Sequence, residues 1–238
     1  MSNTTTDSFG ELVVRRADQL RQRGDAGGAC RDFNKAYNLL RSEGKACDPV
    51  MRDCLHMWGV ALCSKGNPAE ALSKFRQAIQ LSIDIGDQPS RMAMGNIMRD
   101  EAKAQMLLGE LDRAEECLIS SQQILKPETE WDQTALQGLA NTIGFQGRLE
   151  VHRHNLGLAL QYLREADRLL GAIGADQPRL YNLLVLSRTA HMAGMAEAAG
   201  HARAAWPLAK RYGGRSHRIR AMLLMLPIAW RLEARMRS

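Results

Sequence analysis

The apolar positions of this chain recur at helical spacing, in pairs of runs joined by short turns. The first runs of successive pairs carry Val13, Ala17 and Leu20, then Leu55, Trp58, Gly59 and Leu62, then Met98, Ala102 and Met106. Ile143, Gly147 and Val151 make a fourth such run, and Leu183, Leu186 and Ala190 a fifth. Gly24-Asp25, Gly66-Asn67, Gly109-Glu110 and His154-Asn155 are the turns that lead into the second runs. There Ala29, Phe33 and Ala36 are matched by Ala71, Phe75 and Ala78, by Ala114, Leu118 and Ser121, and by Ala159, Leu163 and Ala166. A fifth, looser copy follows Gly194, with Ala198, Ala202 and Ala205. Steps of four and then three residues put each set on one helical face. The small residues let a neighbouring helix approach closely, and the large one fills the gap between them.

The anchoring residues Ala29, Ala71, Ala114 and Ala159 stand 42, 43 and 45 residues apart. A fixed period of this size signals a repeat architecture. The links between pairs repeat as well. Ile85-Gly86-Asp87-Gln88-Pro89 and Ile173-Gly174-Ala175-Asp176-Gln177-Pro178 have nearly the same order. Glycine after an apolar run supplies a left-handed helix end, and a proline soon after prevents continuation. Ser42-Glu43-Gly44 with Pro49, and Tyr212-Gly213-Gly214, are expected to do similar work. Asn67-Pro68 offers a cap followed by an N1 proline. Gly59 and Gly147 each cost about 1 kcal/mol in an isolated helix relative to Ala, so they mark close helix–helix contact.

The pattern predicts eleven helices in an all-α solenoid. It has about five helix-turn-helix repeats, at about 9–48, 49–89, 90–128, 129–176 and 177–212. A disordered lead (1–8) precedes them and a basic C-terminal capping helix (213–238) follows. A solenoid needs such a cap over its last apolar face.

Composition agrees with this picture. The 238 residues are 45% hydrophobic and 24% charged, with only 5% aromatic, and unbranched side chains favour helices over strands. No stretch reaches the roughly 18 consecutive apolar residues of a membrane span. The start lacks the cationic and apolar regions of a secretory signal. The five cysteines are odd in number and match no metal or redox spacing. These features predict a cytoplasmic protein with reduced thiols, off the membrane. The net charge of +6 is uneven. Nine Lys or Arg and one acid lie between residues 203 and 238, leaving that segment at +8 and the rest at −2.

The series Trp58-Gly59, Leu62, Gly66-Asn67-Pro68, Ala71, Phe75 and Ala78 resembles a unit of the tetratricopeptide repeat (TPR) superfamily. The period is similar to that of the longer, roughly 42-residue variety. The resemblance covers about residues 9–212, and Leu20 and Leu62 replace the family's first-helix aromatic. It implies a right-handed superhelix in which first helices line a concave groove and second helices form the outer wall. It also implies a protein-interaction scaffold or adaptor that binds a partner protein or extended peptide.

Polar first-helix residues off the packing stripe are then the candidate groove residues: His56, Asn96, Arg99, Lys103, Asn141, Arg148, Tyr181, Arg188 and His191. Asn can pair with both N–H and C=O of an extended peptide, and Arg can clasp a carboxylate in bidentate fashion. From the third repeat onward this face is mostly basic, so an acidic partner segment is expected. Each of these residues also fits a plain solvated helix face. The basic tail residues Arg211, Arg215, Arg218 and Arg220 belong to a cap, a subunit contact that would make a homo-oligomer, or a nucleic-acid contact. A peptide-sensing signalling regulator is the alternative to the adaptor reading. No Walker loop, dinucleotide fingerprint or His-Glu-x-x-His helix is present. His152 and His154, two apart, are expected on different helix faces. Neither a catalytic residue nor a metal or other cofactor is predicted.

Overall fold

In a computed structural model that describes residues 7–130 and 132–225, every regular element among the described residues is helical. The chain divides into two compact units, Met1–Ile124 and Leu125–Ser238. The first is built from α1 (Phe9–Gln22), α2 (Ala26–Ser42), α3 (Pro49–Lys65), α4 (Pro68–Ile85), α5 (Gln88–Leu108) and α6 (Leu111–Leu125), whose last residue belongs to the second. The second holds α7 (Gln133–His152), α8 (Leu156–Ala172), α9 (Asp176–Met192), α10 (Ala198–Tyr212) and α11 (Arg215–Met225), after a single 3-10 turn at Lys126–Glu128. This is the expected all-α run of tandem hairpins with a closing helix. Residues 1–6 of the predicted lead and residues 226–238 of the predicted cap lie outside the described residues.

In the first unit, consecutive helices pack on one another from α1 to α5, and α3 also touches both α1 and α5. In the second, α7 through α11 pack consecutively, and α9 also touches both α7 and α11. First helices therefore neighbour first helices within each unit, and α11 stands where the first helix of a further hairpin would.

The small–large–small sets form the seams. None of their residues is more than 4% exposed, and full burial of a side chain such as Phe75 is worth about 2–3 kcal/mol. Gly59 and Gly147 show why two first helices carry glycine. A Cβ on Gly59 would lie 2.5 Å from Phe75 Cε1, and one on Gly147 2.7 Å from Leu163 Cγ. The partner's large residue occupies the space a methyl group would take.

The turns inside the hairpins share one conformation. Gly24, Gly66, Gly109 and Gly194 have φ between 70° and 91°, and His154 holds the equivalent place at φ 60°. Gly44, Gly86 and Gly174 do the same between hairpins. Gly213 differs from expectation: it caps α10 with extended backbone, φ −89° and ψ 140°. Pro89 and Pro178 lie in the first turns of α5 and α9. They start the next helix, where a missing N–H costs nothing. Asn67 precedes Pro68 as expected, but its side chain makes no capping bond. At the other end of the unit, Ser8 Oγ accepts from Glu11 N and Glu11 Oε2 accepts from Ser8 N, a reciprocal cap that fixes the start of α1.

Candidate functional site

The first-helix polar residues separate into two groups with different fates. In the first unit they turn toward each other. His56 on α3 is buried, and its Nε2 is 2.8 Å from Asp100 Oδ2 on α5. Arg99 donates to the same carboxylate through Nη2 at 3.0 Å and to Asn96 Oδ1 through Nη1 at 2.8 Å. Burial by itself would raise the Asp100 pKa. The Arg99 guanidinium and the His56 hydrogen bond outweigh it and hold the carboxyl well below the usual carboxylate range. His56 and Arg99 are thus not open groove residues as expected. Both are engaged by Asp100, His56 across the contact between α3 and α5 and Arg99 from the adjacent position on α5. Lys103 is half-buried on the same helix.

In the second unit the candidates converge. Arg148 of α7, Tyr181 and Arg188 of α9, and Arg220 of α11 line one cavity of about 650 Å³. His152 and His154 line it too. Their spacing predicts different faces of a helix, but α7 ends at His152 and His154 has left-handed backbone. The helical rule does not reach past that turn. Glu150 secures the turn by accepting from Arg153 Nη1 at 3.3 Å and Asn155 Nδ2 at 3.1 Å.

The remaining walls are apolar, chiefly Leu184, Val185, Met192 and Leu224. Among the described residues no carboxylate lines this cavity. Its volume and its mix of apolar wall and few charged groups suit a ligand site. The Arg148 guanidinium stacks 4.5 Å from the Phe145 ring centroid, which orients it. The Tyr181 ring meets the His217 ring edge-on at 4.9 Å. Burial, with the Arg220 charge adding to it, lowers the His217 pKa, so this imidazole is neutral at neutral pH. Asn141 and His191 are half-buried on α7 and α9 and do not line the cavity.

Of the tail residues, Arg220 joins the cavity while Arg211 stacks on Tyr212 at 5.0 Å and Arg218 is exposed. The side chain of Arg215 lies outside the described residues. Sequence reasoning missed the apolar walls and the contribution of α11 to this face. Leu184 and Leu224 carry no polar group that would single them out in the sequence. Among the described residues no group of His, Cys, Asp and Glu could hold a metal ion, and no helix is long and apolar enough to cross a membrane.

No family model matches the sequence, and no curated protein matches it. Solved structures do. The apo form of RapI superposes with a TM-score of 0.64 at 12% identity, over 98% of this chain and 87% of that one. A Rap protein complexed with competence and sporulation factor gives 0.61 at 11%, over 94% of this chain and 65% of that one. The kinesin light chain nearly identical TPR-like repeats from Podosopora anserina give 0.52 at 16%, over 91% and 99%. The fold is therefore that of the TPR-like helical repeats.

Proposed function

We propose that this chain is a non-catalytic binding scaffold, and that the cavity between α7, α9 and α11 receives an acidic segment of a partner protein or peptide. One observation carries the reading. Three arginines from three first-layer helices line a single cavity that has apolar walls and no acid among its described lining residues. Arginine pairs with carboxylates in a planar, two-bonded geometry, and the apolar wall adds area for side chains beside the acid. The likeness of fold supports the same reading, since one of the similar structures is a Rap protein in complex with a factor.

The test is affinity purification of the tagged chain from its host lysate at two salt concentrations, alongside an Arg148→Glu/Arg188→Glu variant shown by circular dichroism to be folded. A protein retained by the parent chain and lost by the variant is the expected result. A partner held equally by both removes the cavity from the function. Nucleic acid lost at the higher salt, insensitive to the double substitution, would move binding to the exposed basic residues around Arg211 and Arg218.

A further inference from the structure

α11 does more than cover the end of the second unit. It extends the layer of first helices beyond α9, which it touches. Leu180, Leu183 and Leu184 of α9 share a cluster with Ala221, against which Leu224 packs. Tyr181 and His217 pair their rings across the same junction. α11 rests mainly on α10, whose Ala205 and Ala209 belong to the same cluster, and its contact with α9 is narrow; Ile219, Met222 and Leu223 on α11 remain 43–46% exposed. Beside the junction, Arg220 of α11 and Arg188 of α9 line the same cavity. Among the described residues neither guanidinium has an acidic partner. Like charges on the two sides of a narrow contact oppose its closure, whereas an anion between them draws the sides together.

Building on the binding reading above, we propose that α11 is the third wall of the site, and that a bound acidic peptide segment locks α11 against α9 by bridging Arg188 and Arg220. The apolar part of the site points the same way. Leu184 and Val185 come from α9 and Leu224 from α11, so a displaced α11 would take away an arginine and part of the wall together. Binding and docking are then linked: the peptide favours the docked helix, and the docked helix favours the peptide by the same factor. The last described helix becomes the element that reports occupancy.

The experiment uses the full chain and hexaglutamate as the probe, at an ionic strength held constant with chloride. Hydrogen exchange followed by mass spectrometry reads the amides of residues 217–225, and a titration reads affinity. The expected result is exchange in α11 slowed at least about fivefold at saturation. Arg220→Gln should weaken hexaglutamate by a similar factor and remove the protection. Arg220→Lys should restore part of both, and Arg218→Gln, on the exposed side of α11, should change neither. Hexaglutamate that binds without slowing exchange in α11, and as well to R220Q as to the parent, overturns the coupling while leaving the cavity as a site. Failure of hexaglutamate to bind the parent also overturns it. The scaffold reading then still stands or falls on whether the R148E/R188E variant loses its lysate partner.

Discussion

Asp100 on α5 accepts from His56 on α3, with His56 Nε2 and Asp100 Oδ2 2.8 Å apart across 44 residues of sequence. Arg99 donates to both oxygens of the same carboxylate, through Nε to Oδ1 at 3.3 Å and through Nη2 to Oδ2 at 3.0 Å. Removing one partner of such a largely buried set leaves the others uncompensated, at a cost of about 2–3 kcal/mol. Asp100→Ala should lower the urea midpoint accordingly. The pH dependence follows from the depressed Asp100 pKa. A depressed carboxyl stabilises fully above its unfolded value, near ~3.9, and the stabilisation is lost as pH falls through the lower folded value. Asp100→Asn should therefore flatten the fall in stability below about pH 4. Urea titrations from neutral to acid pH, read by circular dichroism, would reveal it. Superimposable profiles for parent and variant would refute the role given to Asp100.

Gly59 and Phe75 make a second pair that can be tested as a pair. Gly59→Ala gains helix propensity of about 1 kcal/mol but drives a methyl into a fully buried ring. Overpacking of this kind costs about 1–3 kcal/mol, so the net change should be destabilising. Phe75→Leu creates room, and in the double variant part of the loss should be recovered. A double-mutant cycle with no coupling would show that the two side chains do not compete for the same space.

His154 carries the left-handed backbone that glycine carries in the other hairpin turns. That conformation costs a non-glycine residue about 1–2 kcal/mol. His154→Gly should stabilise the second unit by about 1 kcal/mol, less whatever the unfolded chain gains in freedom. Gly66→Ala, the reverse change in the first unit at φ 91°, should destabilise by a similar amount. Thermal melts of both variants decide it, and opposite signs are required.

The thiols should differ sharply in reactivity. Burial pushes Cys54 up to about 12, and Cys63 and Cys117 up to about 11. Cys54 is also fully buried, with its Sγ donating to the Phe33 carbonyl. Cys47 is exposed. In the native chain at about pH 8, iodoacetamide should label Cys47 first and Cys54 at least about a hundredfold more slowly. Mass mapping of early time points checks this, and equal labelling would contradict the burial of Cys54.

The hairpins were legible in the sequence because what specifies them is local. Ala71, Phe75 and Ala78 lie within two turns of one helix, and spacing alone puts them on the seam. The same holds for Gly66, whose place after an apolar run marks the left-handed turn. Partial legibility begins at the site. Arg148, Tyr181 and Arg188 could be singled out as polar residues off the stripe, and Arg220 as part of the basic tail. That four of them share one cavity while Arg99 and His56 do not was beyond reach.

By itself the sequence determined an all-α repeat, its period, its turns and its uneven charge, since each depends on residues a few positions apart. The tertiary structure alone decided which polar residues meet. It set Asp100 between His56 and Arg99, and so withdrew them into a link between α3 and α5. It also placed α11 beside α9, so that Arg220 faces the same space as Arg188. These outcomes depend on which helix packs against which, and on which charge is nearest once they do. Helical spacing within one element carries no information about either.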